Sequence, residues 1–346
     1  MDRRMLAAVS VAAVVGAVAG VGVALDAGGS APPASRDPAA TSAPPPAPAP
    51  GPLWMTSDEL HDGDTVVPLT GVDFVTGVER VGDHWIVQDV PDAADSSPRV
   101  LRVDRDGRVV VLAEVEGLGD ISDDGTRHLG LGPRGEGYAI TDLGSGRSTR
   151  VPPAPDAGNP DGTALFDGAD GAHVITGWSP SGTTYYRSTP DGDDLAIVGR
   201  NLLDARFSPD RTQYVGLRVG LGEDCVLGGA ADEDATPWKE CPGALPSGSP
   251  YAPSGRRLVT IGHDTVGEGL PTWAKVLDPA TGRQVAEVPL PDDVFDVAML
   301  SDDELVVLSV SGPDGAQTTT VRTCDLGGSC TEQGTARGVG VLGGSR

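Results

Sequence analysis

A short turn recurs along most of this chain at a nearly constant interval, and this spacing constrains the fold more than any other feature of the sequence. Each copy follows a short apolar stretch, and most copies precede a β-rich one. The interval is about 40 to 49 residues, the length of one four-stranded propeller blade. The six copies are Gly82-Asp83, Asp124-Gly125, Asp170-Gly171, Asp210-Arg211, Ser254-Gly255 and Asp302-Asp303.

A second turn lies downstream of the first in most repeats. A strand ends in Asp, a glycine-containing turn follows and another strand returns, as in Asp278-Pro279-Ala280-Thr281-Gly282. Aspartate accepts hydrogen bonds from the turn backbone, and glycine supplies the positive φ that tight hairpins need. Two hairpins per repeat predict four strands per blade. The sequence therefore predicts an all-β fold, a six-bladed β-propeller divided at roughly residues 70, 117, 160, 202, 246, 293 and 336.

The number of blades depends on the two ends of the propeller domain. Residues 53–70 and the tail from Gly338 to Gly343 could combine into a seventh blade. They could equally supply only the strand that closes a six-bladed ring, since closure protects the edges of such sheets. Both alternatives remain open at the level of sequence.

The N-terminal region predicts targeting to a membrane. Residues 1–4 form a cytoplasmic stub with two arginines, and residues 5–25 are an uncharged run of 21 residues. As a helix this run would be about 31 Å long, enough to span the bilayer core, and the arginines favour export of everything that follows. We expect a transmembrane signal-anchor, with a cleaved signal peptide as the alternative that would make the protein secreted.

Residues 26–52 are dominated by Ala, Pro, Gly and Ser, a composition that cannot bury a core, and we expect a disordered Pro/Ala-rich linker. The propeller domain then covers 53–346. The chain carries a formal charge of −25, and the first 52 residues contribute none of it, because three arginines balance three aspartates. The acidic domain repels nucleic acid and anionic lipid, and it has only two lysines, Lys239 and Lys275. We therefore expect no nucleic-acid partner.

Three turns and one hairpin carry a family resemblance. Phe207-Ser208-Pro209-Asp210, its relatives at 121–125 and 251–255, and the hairpin at 278–282 resemble those of the WD40-like, TolB-type β-propeller superfamily. The resemblance covers about residues 70–335 and implies a non-catalytic interaction scaffold, with no binding motif to carry over. Arg211 stands where glycine is usual in such a turn.

Four cysteines in an exported chain predict two disulfides. Cys324 and Cys330 flank five residues of an outer hairpin, and Cys225 and Cys241 bracket an acidic insertion. This spacing pairs Cys225 with Cys241 and Cys324 with Cys330. A metal site would need Cys-x-x-Cys spacing or nearby histidines, and neither occurs at these positions.

No motif for chemistry stands out from the repeat. There is no Gly-x-Ser-x-Gly elbow, and the histidines His84, His128 and His173 occupy comparable places in three repeats, where we expect surface or strand-end positions rather than a ligand set. The many paired aspartates sit in turns, and turn chemistry explains them. We expect no catalytic residue, no metal and no cofactor, although enzyme activity is not decided by the sequence.

We therefore expect a monomeric binding or scaffold module held at the cell membrane by one helix, with its propeller outside the cytoplasm and a protein or envelope polymer as its partner. A propeller enzyme, a glycan or peptide hydrolase or lyase, is the first alternative. It predicts three or more carboxylates or histidines in one pocket, whereas a channel lined by glycine and apolar residues would argue against it. An envelope sensor acting with a membrane partner is the second alternative.

Overall fold

Short β-strands account for all the helix or strand structure in the residues that this computed structural model describes. Those residues are 51–92, 96–132, 137–151, 165–166, 172–179, 182–188, 195–200, 202–218, 224–231, 237–262, 270–313 and 315–345. They belong to one compact unit, Ala49–Arg346. The predicted stub, the anchor at 5–25 and all but the last two residues of the linker lie outside the described residues.

Six sheets follow one another along the sequence from residue 74 to residue 337, and they confirm the six predicted blades. Sheet 2 has β4 (Phe74–Val81), β5 (His84–Val90), β6 (Arg99–Val103) and β7 (Val109–Glu114). Sheet 3 has β8 (Asp120–Ile121), β9 (Arg127–Leu131), β10 (Tyr138–Asp142) and β11 (Arg147–Val151). Sheet 4 has β12 (Leu165–Phe166), β13 (His173–Ser179), β14 (Gly182–Ser188) and β15 (Leu195–Arg200).

The remaining three of these sheets repeat the same antiparallel order. Sheet 5 has β16 (Leu203–Phe207), β17 (Gln213–Arg218), β18 (Cys225–Ala230) and β19 (Trp238–Glu240). Sheet 6 has β20 (Leu258–Gly262), β21 (Trp273–Leu277) and β22 (Gln284–Pro289), with an inner segment joined to β20 by two single bridges. Sheet 7 has β23 (Val294–Met299), β24 (Glu304–Ser311), β25 (Thr318–Asp325) and β26 (Cys330–Arg337).

Sheet 1 is a further, smaller sheet built from both ends of the described chain. It contains β1 (Leu53–Met55), β2 (Glu59–Asp62) and β3 (Thr65–Pro68), and β27 (Val341–Leu342) pairs with β1. The last strand, β28 (Gly344–Ser345), pairs in parallel with β4 of sheet 2. The two ends of the domain thus combine into one small sheet, and β28 also supplies a closing strand to sheet 2, so each of the two alternatives describes part of the closure.

Seven clusters of buried apolar side chains match seven interfaces between consecutive sheets. The cluster between sheets 7 and 1 joins Trp54 and Leu342 to Leu308 and Val321, and another joins Leu60 to the side chains of sheet 2. An interface on each side of every sheet closes the ring. The core therefore lies between the sheets, and the inner strands face a central channel.

The hairpins between first and second strands use the predicted turn chemistry. The Ser122 hydroxyl donates to Asp124 at 2.6 Å and the Ser208 hydroxyl donates to Asp210 at 2.7 Å. These hydrogen bonds lower the pKa of both aspartates, because they stabilise the ionised form. These aspartates thus serve the turns, as the sequence predicted. The Asp170-Gly171 copy of the turn lies outside the described residues.

Candidate functional site: the central channel

A cavity of about 590 Å³ occupies the central channel. The inner strands β4, β8 and β16 supply much of its wall, together with the inner segment of sheet 6 and the C-terminal end of the chain. The wall mixes glycine backbone, hydroxyl groups, apolar side chains and charges. Its polar and charged members are Thr76, Glu79, Gln88, Asp120, Asp123, Tyr138, Asp204, Arg206, Arg211, Ser247, Ser249 and Tyr251.

β-Bulges disturb the first residues of three inner strands. The register shifts between Val75 and Gly77 in β4, between Leu203 and Arg206 in β16, and between Val294 and Asp296 in β23. A bulge adds a residue on one strand and re-aims the side chains beside it. Thr76 and Asp204, which lie within two of these register shifts, line the channel.

Asp204 and Arg206 form a charged pair on β16. Asp204 lies in the left-handed region with φ of 50°, and its carboxylate forms an ion pair with Arg206. Both side chains line the channel. An aspartate tolerates positive φ better than most residues, but the conformation still costs energy.

Arg211 also lies in the left-handed region, with φ of 60°. Among the described residues other than glycine, only Asp204 and Arg211 have positive φ. It occupies the turn position that Gly125 and Gly255 take in sheets 3 and 6, where φ is 68° and 71°. Its guanidinium lies 3.4 Å from Asp123, which belongs to the turn of sheet 3. This ion pair joins two sheets that are not neighbours, and both of its members line the channel.

Four carboxylates line the cavity, which satisfies the number that the enzyme alternative predicted. Two of them, Asp204 and Asp123, are ion-paired with arginines, and Asp120 accepts a hydrogen bond from the Phe166 backbone at 2.7 Å. Glu79 also has a partner. Within the described part of the chain, no group of three His, Cys, Asp or Glu side chains could hold a metal ion.

Buried polar side chains near the channel connect one sheet to the next. Gln88 donates to the Gly119 carbonyl and accepts from the Gly119 amide, at 2.8 and 3.1 Å. Asp296, at the start of sheet 7, accepts from the Ser247 amide of sheet 6 at 2.9 Å. Burial raises the pKa of Asp296 to about 6, although this and other backbone hydrogen bonds oppose the rise. These contacts fix the inner strands relative to one another.

Two of the three comparable histidines have described side chains, and these lie in different environments. His84 is partly exposed and lies 3.2 Å from Asp83, whereas His128 is buried beside Gly119 and Gly130. Burial lowers the pKa of His128 to about 4, partly offset by the charge of Asp120. His173 begins β13, and its side chain is outside the description. His84 begins β5 and His128 is the second residue of β9, so both take the expected strand-end positions, although His128 packs in the interior.

Both predicted disulfides are present. Cys225 bonds to Cys241 in sheet 5, and Cys324 bonds to Cys330 across the β25–β26 hairpin. The acidic run 232–234 between the first pair lies outside the described residues. Each bond pins an outer part of its sheet, away from the residues that line the channel.

Sequence reasoning missed most of the channel residues. Asp204, Arg206, Asp296 and Gln88 carried no signal, because no motif surrounds them. Arg211 did carry one, since it replaces the glycine that the turn favours. A search for charged residues at positions that require positive φ would have found it.

Comparisons with known proteins bear on the fold. No family model and no curated protein matches the sequence. Among solved structures, a puromycin hydrolase aligns with a TM-score of 0.52 at 16% identity, covering 76% of this chain and 47% of that one. An oligogalacturonate lyase in complex with manganese aligns with a TM-score of 0.51 at 15% identity, covering 76% and 81%.

TolB from Acinetobacter baumannii aligns with a TM-score of 0.49 at 12% identity, covering 73% of this chain. The chain spans 64% of that TolB. At these identities the likeness is one of fold alone, and it supports the predicted β-propeller fold. No helix in the described residues has the length and apolar character needed to span a membrane.

Proposed function

We propose that this protein is a membrane-tethered, extracytoplasmic binding module that holds a segment of a protein or envelope polymer in its central channel. The tether rests on the uncharged run at 5–25 and the Pro/Ala-rich linker at 26–52. The choice of the channel rests on the cavity and on the residues that line it.

One observation carries the proposal. The two described residues other than glycine with positive φ are Asp204 and Arg211, and both are charged and line the channel. Such backbone conformations cost about 1–3 kcal/mol each and persist where the surrounding structure fixes them, often at binding sites. Glycine would satisfy the turn at Arg211 without this cost, as it does at Gly125 and Gly255. A binding role for the arginine side chain accounts for its retention.

The chemistry of the channel suits a polar chain with both donors and acceptors. Arg206 and Arg211 offer guanidinium donors, and their partners Asp204 and Asp123 offer acceptors, so a ligand with both charges can exchange with each ion pair. Tyr138 and Phe207 add apolar surface. This combination is typical of sites that bind peptides or substituted glycans.

An enzyme acting on a glycan or peptide is the second candidate, favoured by the four carboxylates in one cavity. The solved structures of similar fold include a lyase and a hydrolase. This candidate predicts turnover of an envelope glycan or peptide that is lost when Glu79 or Asp120 is changed to its amide. Binding without turnover supports the module instead.

The test is affinity capture from envelope extract with the chain from Leu53 onwards. We expect one specific component to be retained, and Arg211→Gly to lose it. Arg256→Gly is the matched control, because Arg256 lies in the equivalent turn of sheet 6, is 75% exposed and is not among the cavity residues. Retention by the Arg211 variant equal to that of the native chain would remove the channel from the proposal.

A further inference from the structure

Four exposed apolar side chains lie at or just before the beginnings of four inner strands. Phe295, Val339, Phe74 and Leu118 are 51%, 39%, 60% and 46% exposed. Phe295 lies in sheet 7 and Phe74 lies in sheet 2. Val339 precedes β27 of sheet 1, and Leu118 precedes β8 of sheet 3. Sheets 7, 1, 2 and 3 are consecutive in the ring. We call these four residues the mouth arc.

The topology places the arc on one face. Each residue lies at or just before the beginning of an inner strand, and inner strands run in the same direction around a propeller channel. The parallel pairing of β28 with β4 shows this direction where the ring closes. The bulge at the start of β23 turns Phe295 outward while Asp296 is buried. Leu118 also lines the cavity, so the arc continues into the channel.

The described chain begins at the opposite face. β1 runs antiparallel to β27, so Leu53 lies at the far end of the channel from the arc. Gly51 and Pro52 line a small pocket there with Tyr251 and Leu300. Gly51, where the described chain begins, therefore lies on the face that does not carry the mouth arc.

Carboxylates accompany the apolar side chains. Asp73 precedes Phe74, Glu116 lies two residues before Leu118, and Asp292 lies three before Phe295, and all three are exposed. Arg99 is shared between Asp73 and the buried Asp89, at 3.3 and 2.5 Å, so one positive charge faces two negative ones. Arg337, two residues before Val339, is an exposed basic residue close to the arc in sequence.

We infer that the mouth arc docks a basic polypeptide segment that carries large apolar side chains, and that this segment is the part of a partner protein that enters the channel. The inference rests on the proposed function and narrows its ligand to a polypeptide. The apolar side chains would cover Phe74, Phe295 and Leu118, and the basic side chains would face Asp73, Glu116 and Asp292. Exposed apolar groups with charges at their rim are typical of protein-binding surfaces.

Charge argues against other occupants. A second copy would bring two chains of charge −25 face to face, and an anionic membrane would meet the same repulsion. A basic segment is attracted by the negative charge of the protein as it approaches, and it also forms contacts at the mouth arc. Its association is therefore expected to weaken as ionic strength rises.

The experiment measures binding of fluorescent peptides to the full chain by anisotropy at low salt. The probe is a peptide of alternating lysine and leucine, compared with peptides of equal length in which glutamate replaces lysine or serine replaces leucine. We expect the lysine–leucine peptide to bind at least about tenfold more tightly than either of the others, because each lacks one half of the recognition.

Variants then locate the site. Phe74→Ser combined with Phe295→Ser is expected to weaken binding of the lysine–leucine peptide about tenfold or more. Val111→Ser combined with Val285→Ser is the matched control, because these residues are exposed apolar positions on the outer strands β7 and β22. Thermal unfolding of both double variants confirms that each remains folded.

Three results would overturn the inference: equal affinity for the glutamate–leucine peptide, unchanged binding in the Phe74 and Phe295 variant, or an equal loss in the control. Self-association that the Phe74 and Phe295 changes abolish, seen by sedimentation, would assign the arc to a second copy and overturn it too. Capture that depends on Arg211 but not on the arc would preserve the proposed function and remove only this inference.

Discussion

Arg211 takes, in the turn of sheet 5, the position that glycine takes in sheets 3 and 6. Its backbone amide donates to the Ser208 carbonyl at 2.8 Å, as the Gly125 amide does to the Ser122 carbonyl at 2.7 Å. The turn geometry is thus the same, and the arginine side chain is an addition that the turn does not need. At position 211 the turn favours glycine, whereas the proposed binding role requires the arginine side chain.

Replacement of Arg211 by glycine is therefore expected to stabilise the protein. Glycine adopts φ of 60° without steric cost, and the lost ion pair with the partly exposed Asp123 contributes little. We expect the free energy of unfolding to rise by about 1 kcal/mol, measured by urea denaturation. Gly125→Ala, which introduces a side chain at φ of 68° against Val81, should lower it. A less stable Arg211→Gly variant would contradict the account of strain.

Asp296 and His128 make opposite contributions to the pH dependence of stability. The pKa of Asp296 is raised from 3.8 to about 6, so the folded state binds its proton more tightly and stability falls as pH rises through that range. The pKa of His128 is lowered from 6.5 to about 4, so the unfolded chain binds the proton more tightly and stability rises as pH increases over that range. Each difference corresponds to roughly 3 kcal/mol.

These contributions nearly cancel between pH 4 and pH 6.5, and single variants should reveal each one. Relative to the native chain, Asp296→Asn is expected to make stability increase more steeply with pH, by up to about 3 kcal/mol over this range. His128→Leu should change the slope in the opposite direction. Urea unfolding at several pH values measures both. Variant profiles parallel to that of the native chain would show that these groups do not titrate as described.

At the scale of the element, cross-strand pairs of glycine and tryptophan organise sheets 5 and 6. Gly228 pairs with Trp238 and Gly262 pairs with Trp273 across adjacent strands. A Cβ on Gly262 would lie 1.7 Å from the indole of Trp273, and one on Gly228 would lie 2.2 Å from that of Trp238. Each indole thus lies over the glycine opposite. It shields the glycine backbone from solvent, which the side chain of a larger residue would otherwise do.

Gly262→Ala is expected to lower the free energy of unfolding by about 1–3 kcal/mol, because the indole must leave its place over β20. Gly144→Ala is the control, since the nearest atom to its Cβ would be 3.6 Å away on the flexible Asp142 side chain. Denaturant unfolding of both variants, together with tryptophan fluorescence, provides the measurement. Equal stability of the two variants would show that the indole is not held over the glycine.

The sequence predicted whole elements well where local chemistry determines them. Turns such as Ser208-Pro209-Asp210 fix hairpins by their own hydrogen bonds. Six of the seven predicted boundaries, from 70 to 293, fall between the named strands of consecutive sheets, and the seventh, at 336, falls within β26. The strands β27 and β28 have two residues each and pair with strands far away along the chain, so no local pattern revealed them. Asp204 and Arg206 were missed because a bulge, and no motif, places them in the channel.

At the scale of the whole molecule, closure of the ring depends on sheet 1. Trp54 packs against the apolar residues of sheet 7 and lies against Gly334 in β26. Asp62 accepts a hydrogen bond from the Trp85 indole at 3.0 Å and pairs with Arg80 of sheet 2. One small sheet thereby joins the first and last of the six larger ones.

A chain that ends at Arg337 is expected to lose this closure. It lacks β27 and β28, so β1 loses its inner partner and the cluster around Trp54 loses Leu342. We expect a loss of about 3 kcal/mol or more and a broader thermal transition, since the edge strands of sheets 1 and 2 become exposed. Calorimetry measures both. A truncated chain with the native melting temperature would show that the ring does not need β27 and β28.

The central claim is that a ligand occupies the channel, and site-specific photo-crosslinking in intact cells tests it most directly. A photoreactive amino acid at Thr76 would lie on the channel wall, and the same residue at Val111 would lie on the outer strand β7. We predict a discrete adduct with an envelope protein or polymer from position 76 and none from position 111. Absence of an adduct at 76, or the same adduct from both positions, would contradict the claim.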